Sequence, residues 1–103
     1  MGEFIASYPD GPSAGEARLY QGRAFAAMGE HQEAARVFLK GFSGAPDAPS
    51  APHALLGLAM SLDHLGQHDQ ACLTLAEILF RYPSMPTELA QDVTAQKAEL
   101  GCE

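Results

Sequence analysis

Apolar residues recur along most of this chain at the spacing of one face of an α-helix. In one segment, Ala34, Val37, Phe38 and Gly41 stand at i, i+3, i+4 and i+7. Leucine and alanine in residues 55–62 repeat this spacing, and alanine, leucine and isoleucine in residues 71–79 lie on one helical face at i, i+4, i+7 and i+8. The pattern predicts an all-α fold without paired strands. We expect helix 14–28 to pair antiparallel with 31–43, helix 51–65 to pair antiparallel with 68–81, and a last helix to span residues 87–100.

Short proline-rich runs separate the helix pairs. Residues 9–13, 46–50 and 83–87 each contain two prolines and end in Ser or Thr. Proline lacks an N–H and disfavours helical backbone in the residue before it, so each run ends one helix. The closing Ser13, Ser50 or Thr87 is expected to cap the next helix, with Glu16 completing a capping box with Ser13. Gly29 and Gly66 predict left-handed stops inside each pair.

The chain is internally repetitive. A shift of 37 residues superimposes 10 identical residues in 37, Leu19 with Leu56 among them, and a fixed period of this size is typical of a solenoid. We predict a single domain over 1–103, with a remnant of a preceding repeat at 2–8, repeats at 13–46 and 50–83, and a capping helix at 87–100. The remnant's Phe4, Ile5 and Tyr8 are expected to cover the next helix pair or to mediate self-association.

Charge and cysteine content narrow the functional classes. The formal net charge is −7 with only 6 Lys and Arg, which disfavours nucleic acid and favours basic protein partners. No apolar run approaches the roughly 20 residues of a membrane span, so no membrane insertion is expected, and the start does not resemble a signal peptide. The sequence allows a disulfide between Cys72 and Cys102 in an oxidising compartment, but it favours Cys72 as a small buried apolar residue.

Nothing in the sequence predicts catalysis, a metal site or a cofactor. The segment around Ser43 resembles a nucleophile elbow but lies at a helix end and lacks the second glycine. His64 and His68 are four residues apart, but Gly66 breaks the helix between them, so they need not share a face. Asp63 and Asp69 near them are read as surface residues beside a turn.

The repeats resemble the tetratricopeptide repeat (TPR), lengthened by three residues at each junction. The places of this motif are counted here from Gly15 in the first repeat and from Pro52 in the second. Small, large or proline residues stand where the motif requires them, at the eighth, eleventh, twentieth, twenty-fourth and thirty-second places. In that order they are Gly22 or Ala59, Phe25 or Leu62, Ala34 or Ala71, Phe38 or Leu75, and Pro46 or Pro83. Residues 4–86 further resemble the C-terminal TPR domain of the Tol–Pal-associated periplasmic family YbgF/CpoB, the cell-division coordinators. That likeness rests on Tyr8-Pro9-Asp10-Gly11-Pro12, Ala54-Leu55-Leu56, residues 66–72 and Arg81-Tyr82-Pro83.

The resemblance implies a periplasmic, non-enzymatic interaction module that binds TolA and other Tol–Pal or peptidoglycan-synthesis components. In TPR domains the first helix of each pair lines a concave groove, and its groove positions fall here on Glu16, Leu19, Arg23, Ala26, Ala27, His53, Leu56, Met60, Asp63 and His64. Packing between repeats is the alternative role for Leu19 and Leu56. The opposite face, with Arg36, Lys40 and Glu77 outward, is expected to have no comparable apolar contact. A scaffold for self-association or outer-membrane protein assembly is the alternative function.

Overall fold

A computed structural model describes residues 12–102, with side chains from residue 15 onward. Five helices run through this part of the chain: α1 Pro12–Ala27, α2 His31–Gly44, α3 Ala51–His64, α4 His68–Arg81 and α5 Thr87–Glu99. Residues 12–102 contain no β-strand, and the all-α prediction is confirmed. The predicted remnant at residues 2–8, with Phe4, Ile5 and Tyr8, lies outside the described residues.

Each helix packs on the next along the chain, and α1 also packs on α3. Short connections reverse the chain between neighbours, so the pairs α1–α2 and α3–α4 are antiparallel. We call α1 with α2 the first repeat and α3 with α4 the second. The first helices are α1, α3 and α5, and the second helices are α2 and α4.

The same turn ends all three first helices. Gly29, Gly66 and Gly101 have φ of 80°, 83° and 73°, and they are the described residues with positive φ. In each turn the N–H that follows the glycine donates to a carbonyl five residues earlier, as from Glu30 to Phe25 at 2.9 Å, which is the Schellman arrangement. The predicted conformation of Gly29 and Gly66 is confirmed.

The core of the first repeat is built around one aromatic ring. Phe38 on α2 is 2% exposed and lies between glycines of two first helices. A Cβ on Gly22 of α1 would lie 2.6 Å from this ring, and one on Gly57 of α3 would lie 2.5 Å from it. Glycine is therefore needed at both positions, because any side chain would displace the ring.

The second repeat fills the same space with aliphatic side chains. Its core cluster joins α3 and α4 to α5 through Leu55, Ala59, Leu75, Ile78, Leu89 and Val93. Phe42 and Leu58 pack against both this cluster and the first. The two cores are therefore continuous, as a stacked repeat architecture requires.

The side-chain caps predicted at Ser50 and Thr87 are wrong. Thr87 lies inside α5, whose N-cap residue is Pro86. Ser13 falls within the range of α1, and its side chain, with the predicted capping box to Glu16, lies outside the described side chains. Ser50 does precede α3, but its backbone is already right-handed helical, with φ −76° and ψ −16°, and its side chain makes no capping hydrogen bond. Its hydroxyl is buried near Gly15 instead. A capping side chain needs extended backbone at its own position, and the packed linker does not allow it there.

Candidate functional site

A cavity of about 380 Å³ opens between the first helices α1 and α3 and the linker that joins the two repeats. Its walls include four residues that the TPR resemblance places in a binding groove, Glu16, Leu19, Arg23 and His53. Further lining comes from Tyr20 and from linker residues 48–50. The packing of α1 on α3 brings these two helices together and so forms the cavity. We call it the first-helix groove.

Exposed polar groups rim this groove above a buried floor. Glu16, Tyr20 and Arg23 are exposed, and Leu19 is only 5% exposed in the first-repeat core. The burial of Leu19 supports its alternative role in packing. It forms part of the wall, and the exposed side chains of Glu16, Tyr20 and Arg23 lie around it.

Two opposite charges, those of Glu16 and Arg23, lie on the rim of the first-helix groove. Neither Glu16 nor Arg23 forms an ion pair with another described residue. The Arg23 guanidinium lies 5.8 Å from the centre of the Tyr20 ring, within cation–π range. Burial lowers the pKa of His53, and the positive charge of Arg23 lowers it further against the opposing effect of Asp92.

The other six predicted groove residues do not line this cavity. Ala26 packs against the first-repeat core, Leu56 packs against the second, and Ala27 is exposed. Met60 is partly buried on α3. The last two, Asp63 and His64, lie at the end of α3 and contact other histidines, as described below.

A second cavity, of about 510 Å³, adjoins the first and is lined by both proline-rich linkers. His53 borders both cavities. Tyr82 holds the two linkers together, because its hydroxyl donates a 2.6 Å hydrogen bond to the carbonyl oxygen of Pro46. Burial raises the pKa of Tyr82, against the opposing effect of Arg81. Sequence reasoning treated these linkers as the ends and starts of helices and as part of the family resemblance, and it predicted no surface there.

Comparison with known families identifies the repeat. A tetratricopeptide repeat model matches residues 1–49, and a second tetratricopeptide repeat model matches residues 53–84. The chain is a tetratricopeptide repeat protein. No curated protein and no solved structure matches it significantly. TPR repeats indicate protein partners, and such domains are typically non-catalytic interaction modules.

The outward face of α4 in this TPR protein is apolar, which sequence reasoning missed. Leu73 is 70% exposed and Phe80 is 83% exposed, and they stand two helical turns apart with exposed Ala76 between them. The expectation that the second helices offer no apolar contact is therefore wrong. The heptad spacing of Leu73 and Phe80, outside the stripe of buried residues, was the available signal.

The charged residues expected on this side of the TPR stack are largely paired with neighbours on their own helix. Arg36 forms a 3.0 Å ion pair with Glu33 on α2. Arg81 forms a 2.9 Å ion pair with Glu77 on α4, and its guanidinium lies 5.4 Å from the Phe42 ring centre. These exposed pairs contribute little stability.

Histidines gather where the turns of the two repeats lie next to each other. The rings of His31 and His64 stack with centroids 4.1 Å apart and planes within 4°. His68 lies 3.4 Å from Asp63, measured from Nδ1 to Oδ1. Within residues 15–102, no three His, Cys, Asp or Glu side chains are grouped so that they could hold a metal ion.

Cys72 of α4 and Cys102, which follows α5, form a disulfide with a Cα–Cα distance of 5.5 Å. The interpretation of Cys72 as a free buried hydrophobe is therefore wrong. The turn at Gly101 redirects the chain after α5 and places Cys102 beside α4. Among the helices of the described region, none is long and apolar enough to cross a membrane.

Proposed function

We propose that this TPR protein holds a segment of a partner protein in the first-helix groove and performs no chemistry of its own. The observation that carries the proposal is the convergence of Glu16, Arg23 and His53 on one cavity between two first helices. Arg23 and Glu16 are free of ion pairs with described residues. Both charges can therefore engage a ligand without first breaking an ion pair among residues 15–102.

The groove chemistry fits an extended, basic peptide segment with one apolar anchor. The chain carries a net charge of −7, which attracts a basic partner over long range. Glu16 would pair with a cationic side chain, and Arg23 would bind a backbone carbonyl or carboxylate. Tyr20 and Pro49 offer apolar surface at the rim, where an aromatic residue with a polar tip is well suited to binding.

The setting we propose is the bacterial periplasm, with TolA as the partner, in coordinating outer-membrane constriction with septal peptidoglycan synthesis during cell division. Support comes from the resemblance of the Tyr-Pro-Asp-x-Pro junction and its repeats to the Tol–Pal-associated family. The Cys72–Cys102 disulfide also suits an oxidising compartment. Other Tol–Pal and peptidoglycan-synthesis components are further candidate partners.

The test compares two double variants for binding to purified TolA by titration calorimetry. Glu16→Lys with Tyr20→Ala should weaken binding more than tenfold, about 1.4 kcal/mol, because it removes the apolar rim and reverses the charge that pairs with the basic segment. Glu33→Lys with Leu39→Ala on α2 makes the same change of net charge; it is the matched control and should change affinity less than about threefold. Loss of binding only in the α2 variant would refute the groove. Failure of the unaltered chain to bind TolA would refute this partner and leave the groove to be tested with other basic segments.

The exposed stripe on α4 favours a second candidate function, a scaffold that associates with a second copy of itself. An antiparallel pairing of two α4 helices would place Leu73 of one copy against Phe80 of the other, and such twofold contacts are the commonest form of homo-oligomer. Light scattering coupled to gel filtration should then show a dimer that Leu73→Ser with Phe80→Ser dissociates. A concentration-independent monomer would reject the scaffold.

A further inference from the structure

The disulfide lies beside a histidine that is itself paired with a carboxylate. His68 begins α4, and Cys72 follows it by one helical turn, with 3.7 Å between Nε2 of His68 and Sγ of Cys72. On the other side of the ring, Nδ1 lies 3.4 Å from Oδ1 of Asp63 at the end of α3. The Asp63 carboxylate, the His68 imidazole and the Cys72 sulfur are therefore neighbours in that order.

This order favours negative charge on one sulfur in particular. A neighbouring imidazolium stabilises a thiolate relative to the thiol, and a carboxylate on the far ring nitrogen orients and stabilises the imidazolium. Cys102 has no described side-chain hydrogen bond of this kind; its backbone N–H donates to the carbonyl of Lys97 at 2.8 Å. The two sulfurs of the bond are therefore chemically unequal.

Other charged groups nearby do not replace this arrangement. Asp69 on α4 and Lys97 on α5 are charged residues of the helices around the site, but neither forms an ion pair with His68. His64 of α3 stacks on His31. Among charged groups of the described residues, Asp63 is the one within ion-pair distance of His68. Cys102 is partly exposed and the His68 side chain is 48% exposed, so a reagent from solution can reach the disulfide.

We propose that Cys72–Cys102 is a redox-active site that exchanges with an external dithiol, with Cys72 as the thiolate that His68 and Asp63 stabilise. This inference is independent of the partner proposed for the groove.

The exchange balances as a two-electron reduction of the protein disulfide. A thiolate of the dithiol attacks Sγ of Cys102, the bond between the two cysteines breaks, and its electron pair leaves on Sγ of Cys72 beside the His68 ring. The second thiol of the reagent then attacks the mixed disulfide and releases Cys102. The dithiol ends as a disulfide; one of its two protons ends on Sγ of Cys102, and the other passes to the His68 ring or to solvent, which leaves Cys72 as the thiolate.

Opening this bond would release the turn after α5 from α4. The helix would then depend on its buried apolar contacts, chiefly Leu89 and Val93, which are 4% and 0% exposed. The redox state of the site would therefore control how firmly α5 covers the second-repeat core.

The test isolates each thiol in the otherwise intact chain. In Cys102→Ser, we expect titration of thiolate ultraviolet absorbance to give Cys72 a pKa clearly below the ordinary value of about 8.5. Its alkylation by iodoacetamide near neutral pH should be about fivefold faster than that of Cys102 in Cys72→Ser, because more of it is thiolate. The variant Cys72→Ser is the matched control and should titrate at the ordinary value.

A second pair of variants separates chemistry from folding. His68→Gln and Asp63→Asn, each combined with Cys102→Ser, should return the Cys72 pKa toward the ordinary value while far-ultraviolet circular dichroism stays unchanged. In the cysteine-intact chain, His68→Gln should slow reduction by dithiothreitol severalfold. Equal pKa values for Cys72 and Cys102, or no response to His68→Gln in a folded variant, would overturn the proposal.

Discussion

The first and second repeats turn in the same way but fill their cores differently. Gly29 and Gly66 adopt φ values of 80° and 83°, and their Schellman hydrogen bonds to Phe25 and Leu62 are both 2.9 Å. The first core, however, centres on Phe38 between two glycines, while the second is assembled from smaller aliphatic side chains on three helices.

This difference shows which features the repeat architecture holds constant. The turn requires a residue that tolerates positive φ, so both repeats use glycine. The space between helices requires only a complementary total volume, so a large ring opposite glycine and leucine opposite Ala59 are both solutions. The second repeat also carries the Cys72–Cys102 disulfide and the hydrogen bond from Tyr82 to the Pro46 carbonyl oxygen. The described part of the first repeat has no disulfide and no such side-chain hydrogen bond to another element.

The largest effect is expected from removing the ring at the centre of the first repeat. Phe38→Ala should lower the free energy of unfolding by about 3–5 kcal/mol, because it leaves a cavity that the helices cannot fully close. Urea denaturation followed by circular dichroism measures this change. Leu39→Ala, at a neighbouring residue that is 48% exposed, is the control and should cost about 1 kcal/mol or less. Equal losses in the two variants would show that the ring does not organise this core.

Removal of the disulfide should weaken the second repeat nearly as much. The two cysteines are 30 residues apart, and closing a loop of that size contributes about 3–4 kcal/mol in the chain-entropy model. Cys72→Ala with Cys102→Ala should lose this amount in urea denaturation. The unaltered chain should lose a similar amount in the presence of reductant. An identical midpoint with and without reductant would contradict the prediction.

The shared turn should respond to substitution in the same way in both repeats. Gly66→Val and Gly29→Val should each cost about 2 kcal/mol or more, because a β-branched residue is strained at positive φ. The surroundings are open, with no atom within 4 Å of a Cβ at either position, so the cost comes from backbone strain alone. Gly44→Val at an equally open site without positive φ is the control. Thermal denaturation that left Gly66→Val unchanged would count against the turn.

The tie between the linkers should have a smaller effect. Tyr82→Phe removes the hydrogen bond to the Pro46 carbonyl oxygen and should cost about 1 kcal/mol. Tyr20→Phe, at an exposed tyrosine, should be neutral within about 0.5 kcal/mol. Urea denaturation of both variants checks the difference, and equal stabilities would show that the linkers are held by packing alone.

The smallest effect concerns His53, which lies between the repeats. Burial, reinforced by Arg23, lowers the pKa of His53 below its usual value of 6.5 in the folded chain. Between the folded pKa and pH 6.5 the unfolded chain therefore binds more protons than the folded chain. The contribution of His53 to stability is therefore fully present above about pH 6.5 and is lost as the pH falls through the folded pKa. Unfolding free energies measured from neutral to mildly acidic pH should decline less in His53→Gln. A steeper decline in that variant would reverse the assigned sign.

The sequence by itself determined the features that depend on local chemistry. Helical spacing predicted five helices whose bounds fall within about two residues of those observed. The glycine positions predicted both turns because positive φ is a property of the residue and its immediate backbone. Period and motif positions led to the TPR family, which the two family models support.

Tertiary structure decided the features that depend on residues distant in the chain. The capping role of Ser50 was lost because the linker around it is packed. Cys72 found a partner 30 residues away because the turn at Gly101 redirects the chain after α5. Only Glu16, Leu19, Arg23 and His53 of the predicted groove set line one cavity, since a helical position sets the direction of a side chain but not which neighbouring element covers it. Burial and pairing arise from contacts between elements, and periodicity along one element does not contain them.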